Sequence, residues 1–205
     1  MPGEDSVQKG YNKAVKKGLK NIHLLEGTHI VTYTDDDGSE RPYVLFEVPM
    51  TVSGDGREKT FVEGGGFLIK GEKDQHCTFI DLTIQKTMDI GLYGNGGMSF
   101  DCRRVKFDNC GSCRYKRWQH TAGGVLASKT KGRLTNCQVI NCKNGGIISN
   151  SFKSIIEIEG EESRINNNCT DGESRDYGLE AYTLLSSIHL LSPLTKEDVS
   201  TNNNG

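Results

Sequence analysis

Long apolar runs, a dominant charge sign and a large apolar fraction are all missing from this 205-residue chain, and each absence closes off a class of protein. Hydrophobic residues make up 34%, against roughly 45–50% for average chains on a slightly broader residue count. That is too little for a sandwich or doubly wound sheet of this length. The longest charge-free stretches fall far short of the ~18 residues of a membrane span, and the opening MPGEDSVQKG lacks the apolar stretch of a signal peptide. The expectation is a soluble chain with no membrane insertion. With 25 basic against 27 acidic residues the formal net charge is −2, so there is no bulk attraction to nucleic acid, and none is expected as a partner.

What is abundant is glycine, 25 residues where about 7% is ordinary. A thin core with many turns fits a solenoid, which needs only a narrow apolar column along its axis. The length suits one domain. The seven cysteines, Cys77, Cys102, Cys110, Cys113, Cys137, Cys142 and Cys169, fall mostly where a periodic pattern places core residues. They read as reduced thiols acting as small hydrophobes, which favours an intracellular compartment. Cys110 and Cys113 form a C-x-x-C with no second pair at zinc spacing. Asp35, Asp36 and Asp37 read as a hydrated turn. No metal and no cofactor is expected.

Internal repetition decides the fold. Asn-Cys occurs at 109–110, 141–142 and 168–169, followed by GGVLA from Gly123, GGIIS from Gly145 and YGLEA from Tyr177. Upstream, Phe79, Leu82 and Ile84 match Cys102, Val105 and Phe107, then Leu134, Cys137 and Val139. These are three rungs of an apolar ladder with the period-2 alternation of half-buried strands. A third strand per coil is read at 67–71, 155–160 and 187–192. IHLL occurs at 22–25 and again at 188–191. Before the repeats, Val7, Tyr11, Val15 and Leu19 recur every fourth residue among Lys9, Lys13, Lys16, Lys17 and Lys20, which predicts an amphipathic cap helix. The expected organisation is all-β: a right-handed parallel β-helix of about six to seven coils over residues 21–205, capped by a helix within 1–20. VSTNNNG at 199–205 aligns with VINCKNG at 139–145, which leaves the last coil incomplete. The expectation is that this edge is covered by another chain or that the polypeptide continues.

NIHLLEGTHIV, PMTVSGDG and the Asn-Cys turns resemble the right-handed, pectate-lyase-like β-helix superfamily. More narrowly, GLYGNGG, TKGRLTNC, IIEIEGEESRINNN and HLLSPLTKEDVSTNNNG are similar to β-helix repeat proteins of unicellular algae. The resemblance implies a fold and leaves activity open, since the superfamily includes lyases, epimerases, polygalacturonases and passive scaffolds. None of the epimerase-like D-P-H-E tetrad or the polygalacturonase N-T-D, D-D and G-H-G elements is present. The outward columns Asp81–Arg104–Asn136 and Thr83–Lys106–Gln138 read as a solvated sheet face, so no catalytic residue is assigned.

One departure from the repeat carries a functional expectation. Two residues separate Cys142 from Gly145, but twelve separate Cys110 from Gly123. This longer loop, 111–122, holds Arg114, Tyr115, Lys116, Arg117, Trp118, the single tryptophan, and His120. Nine basic residues stand against Asp108 between Arg103 and Arg133, and eight acids against Arg164 and Arg175 between Glu157 and Glu180. Trp, Tyr and Arg dominate protein interfaces, so the leading expectation is a non-catalytic module that docks to a protein partner or larger assembly through these residues. Binding or processing of an acidic polysaccharide is the alternative, because guanidinium groups interleaved with rings also suit acidic glycans.

Overall fold

In the computed structural model the described residues are 2–32, 43–111, 123–170 and 177–203. Short strands wind into a right-handed β-helix with three parallel sheets of eight, six and seven strands. Each coil contributes one strand to the seven-stranded sheet, then one to the eight-stranded and one to the six-stranded sheet. Thus Ser99–Arg103, Lys106–Asp108 and Val125–Ser128 form one coil, and Lys131–Thr135, Gln138–Ile140 and Ile147–Asn150 the next. Among the described residues there are six such coils, and a seventh holds Ser187–Leu190 and Ser200–Thr201.

The ladder read from the sequence is the spine of the core. Ile84, Phe107 and Val139 pair in register and continue to Val62 below and Ile165 above. Phe79, Cys102 and Leu134 pair likewise and continue to Ile158 and Leu190. Leu82, Val105 and Cys137, at the turn between these two columns, are all buried. That turn holds because Asp81, Arg104 and Asn136 take left-handed φ of 55°, 52° and 53°, bending the chain from one sheet to the next within two residues.

Five details depart from the sequence reading. The strands Ile155–Glu159 and Ser187–Leu190 are later rungs of the seven-stranded sheet, whereas Gly66–Lys70 lies in the six-stranded one. Alternation marks a half-buried strand but does not say which face of the coil it occupies. The pair Asn168-Cys169 is one residue out of step, because Asn167, with φ 54°, follows Asn109 and Asn141 in the left-handed column. Asn168 therefore takes the inward place of Cys142. It is fully buried, donating to Val139 O at 2.9 Å and accepting from Cys142 N at 3.0 Å. The last segment shifts in the same way, with Ser200, not Val199, opposite Ile165.

The fourth departure concerns the cap. The helix spans Ser6–Lys16 and buries Val7, Tyr11 and Ala14, while Val15 and Leu19 are 42% and 53% exposed. An i+4 spacing drifts about 40° around a helix per step, so Ala14 returns to the core side where Val15 does not. Gly18, at φ +66°, follows the helix end. Tyr11 meets Phe46 edge-on at 4.9 Å between ring centres, and its hydroxyl accepts from Glu47 N at 3.0 Å. Phe46, Phe67 and Phe79 extend this aromatic cluster inward. The polar column has a departure of its own, since Thr83 is buried with its hydroxyl on Arg57 O.

One corner differs from the others. Between the eight- and six-stranded sheets the chain leaves after Gly27–Ile30, Lys106–Asp108 and Arg164–Asn166, and re-enters at Tyr43–Phe46, Val125–Ser128 and Leu179–Ala181. All three internal stretches outside the described residues fall between these strands. Re-entry is marked by a glycine column. A Cβ on Gly91 would lie 2.9 Å from Gly124 O, and one on Gly124 or Gly146 would collide with the next carbonyl, of Gly146 or Gly178. Only glycine lets successive coils close here.

Candidate functional surfaces

The predicted binding residues Arg114, Tyr115, Lys116, Arg117, Trp118 and His120 lie outside the described residues, as do Asp35, Asp36, Asp37 and Cys113. What the structure fixes is the frame around that loop. It departs after Gly111, whose φ is +84° and whose carbonyl accepts from Asn144 Nδ2 at 3.0 Å. The chain resumes at Gly123, which donates to Gly145 O.

The sequence reading missed a groove on the outer face of the seven-stranded sheet. Its volume is about 250 Å³, with His76, Ser99, Asp101, Lys131, Arg133 and Glu157 around a floor of Phe100, Gly132 and Ile155. Strand register builds it, since Thr78, Asp101, Arg133, Glu157 and His189 are successive rungs of one outward column. The signal was available one residue before the aligned Phe79, Cys102 and Leu134, at positions that the sequence alignment left unread.

The column is an alternating charge ladder. Arg133 donates to Glu157 Oε2 at 3.0 and 2.6 Å, and this carboxylate raises the guanidinium pKa. Asp101, with its side chain 8% exposed, accepts from Arg103 at 2.8 and 2.5 Å through Oδ2, while its buried Oδ1 has no hydrogen-bond partner. His76 shares a hydrogen bond with Ser99 Oγ at 2.8 Å. Each carboxylate thus faces a guanidinium, the balance of a structural ion-pair ladder, though the groove does offer cations and hydroxyls to a ligand.

Elsewhere, Arg104 grips Asp81 through two bonds of 2.6 and 2.7 Å. His23 bridges Ser53 and Asp55 at 2.9 and 3.0 Å on an exposed face. The bond from Glu26 N, then His23, lowers the Asp55 pKa. Six cysteines are buried and free. Burial pushes the Cys77 thiol up to about 11 and Cys137 to about 12. Among the described residues no three His, Cys, Asp or Glu side chains converge as a metal site. Among the described residues no helix is long and apolar enough to cross a membrane.

The C-terminal end is the other notable surface. Leu179–Ala181, Ser187–Leu190 and Ser200–Thr201 are the last strands of their sheets, with no further described strand beyond them. Leu179, Ile188, Leu190 and Leu194 pack on the core from this side while only partly buried. Beside them Phe152, Tyr177, Tyr182 and Leu185 are 58%, 43%, 45% and 57% exposed, and Leu184 is fully exposed. A four-residue helix, Lys196–Val199, held by a reciprocal Thr195–Asp198 cap, buries Val199 at one corner.

The chain matches no family model, no curated protein and no solved structure among those compared with it.

Proposed function

We propose that this β-helix is a non-catalytic interaction module that docks to a protein partner through its C-terminal end and the loop 111–122. The supporting observation is the row of exposed Phe152, Tyr182, Leu184 and Leu185 beside strands that end their sheets. Side chains of this size, left together at a terminal sheet edge, are the usual mark of a docking surface. The loop contributes Arg114, Tyr115, Lys116, Arg117, Trp118 and His120, the residue types that anchor interfaces. The likeness to algal β-helix repeat proteins supports the scaffold and leaves its activity open.

A photoreactive amino acid at Leu184 or Trp118 tests this in the cells that make the protein. The expected result is adducts with the same protein from both positions and none from exposed Lys59. Absence of an adduct from both positions overturns the reading.

The groove supports a second reading, acidic-polysaccharide binding, because Lys131 and Arg133 flank it. Calorimetric titration with a polyuronate tests it, with binding lost on Arg133→Ala. Turnover of that polymer that disappears on His120→Ala would overturn the non-catalytic reading.

A further inference from the structure

The C-terminal half of the corner between the six- and seven-stranded sheets is a stack of three turns, 129–130, 151–154 and 182–186. Lys129 N donates to Ser154 Oγ at 2.7 Å, Ser128 and Ser151 share a hydrogen bond of 2.9 Å, and Lys153 N donates to Leu185 O at 3.0 Å. Successive turns therefore lie one rung, ~4.8 Å, apart. Thr130 is buried with its hydroxyl on Met98 O, so Lys129 and Lys131 on either side of it are turned outward and exposed. Ser154 is buried in the same way beside exposed Phe152 and Lys153, and the Lys153 ammonium lies 5.0 Å from the Phe152 ring centre. Leu184 and Leu185 are exposed on the last turn.

Charge on these turns is of one sign. Lys129, Lys131 and Lys153 are their cations, and none of the segments 129–131, 151–154 and 182–186 holds an acid. Among the described residues no carboxylate pairs with these three ammonium groups. The acids of the flanking strands are already engaged: Glu157 by Arg133, Glu159 by the Thr135 hydroxyl at 2.7 Å, and Glu180 by a partner of its own. Glu72 and Asp74 belong to the same corner two coils earlier.

An exposed apolar strip lined by unpaired ammonium groups repels a basic partner and is completed by an acidic one. Carboxylates at the rim gain ion pairs while the apolar side chains beside them leave water. A helix sets residues four apart about 5–6 Å from each other, close to the rung spacing, so acids one turn apart reach lysines one coil apart. We infer that the partner seated at this corner is an acidic segment of another protein, with carboxylates on Lys129, Lys131 and Lys153 and apolar side chains on Phe152, Leu184 and Leu185. This rests on the reading of the C-terminal end as a docking surface and adds the chemistry of what docks there.

Selection from a random peptide library on the immobilised chain tests this. The expected result is enrichment of sequences rich in Asp and Glu with interspersed Leu or Phe, absent when the bait carries Leu184→Asp with Leu185→Asp. A selected peptide should bind about tenfold or more weakly to the chain with Lys129→Glu, Lys131→Glu and Lys153→Glu. It should also bind the parent more weakly at about 0.5 M than at about 0.05 M salt. The charge-reversed chain should bind the same peptide once its acids are replaced by lysine, which a misfolded chain would not do. Should that variant fail to fold, Lys129→Gln with Lys131→Gln and Lys153→Gln removes the charge alone and should weaken binding in the same direction. Selected peptides that are neutral or basic, or that bind the charge-reversed chain as well as the parent, overturn the inference, while a Leu184 cross-link to another protein leaves the docking reading standing. A parent chain that selects nothing above the leucine variant overturns it too, and binding of phosphatidylserine vesicles in that case would assign the lysines to lipid.

Discussion

The first and last rungs of this coil consist of similar residues held in different ways. At the N-terminal end Phe46 is completely buried, because Tyr11 lies against it and the helix seals the rung. At the C-terminal end Leu190, in the same column as buried Leu134, is only partly covered, and no further described strand lies beyond it. A parallel coil buries a side chain through the coils above and below it, so the terminal rungs depend on what is laid across them. The difference between the ends is therefore one of cover rather than of composition.

Removing the cover should have the largest effect. Tyr11→Ala deletes a ring in the aromatic cluster and the acceptor for Glu47 N, and should cost about 3–5 kcal/mol in urea unfolding. If the loss is under about 1 kcal/mol, the helix is not the seal described here. The same truncation at two heights of one column sharpens the comparison. Leu134→Ala should cost about 2–5 kcal/mol and Leu190→Ala about 1 kcal/mol, because the latter side chain already meets solvent. Equal costs would mean that the open end is covered in solution.

The buried thiols give a smaller, pH-dependent effect confined to the sealed interior. With folded pKa values pushed to about 11 and 12 for Cys77 and Cys137, these thiols stay protonated in the folded state while the unfolded chain ionises from about 8.5. Their contribution is complete below that pH. Above it, stability should fall by about 1.4 kcal/mol per pH unit for each thiol as pH rises toward the folded value. Urea midpoints at pH 7, 9 and 10 measure this, and a flat profile would contradict burial of the thiols. The smallest effect belongs to Leu184→Asp, expected within about 0.5 kcal/mol because the side chain touches nothing.

The columns Phe79–Cys102–Leu134 and Ile84–Phe107–Val139 were legible in the sequence because strand alternation and a short two-residue turn repeat together over three coils. The glycine strands GGVLA, GGIIS and YGLEA also align as read. Errors entered where the repeat is degenerate. Asn167, Asn168 and Asn202 to Asn204 form runs in which a one-residue slip costs nothing on paper. In space it moves a side chain between a left-handed turn and a buried hydrogen-bonded position. The groove went unread for a different reason: Asp101, Arg133 and Glu157 become neighbours only once coils some 24 to 32 residues long are stacked. The exposure of Val15 was hidden by treating every fourth residue as one face, an error that grows with each helical turn.

The variable corner between the eight- and six-stranded sheets bears on engineering. Chain length there is uncoupled from strand register, since the coil resumes at its glycine whether the excursion was short, as between Ile140 and Gly146, or long, as between Asp108 and Gly124. Doubling such an excursion adds only about 0.6 kcal/mol of closure entropy. Foreign peptides grafted there would be displayed at rung-by-rung spacing along one edge of a rigid support. The left-handed turn at Asp81, Arg104 and Asn136, with no slack to absorb an extra residue, should reject the same graft.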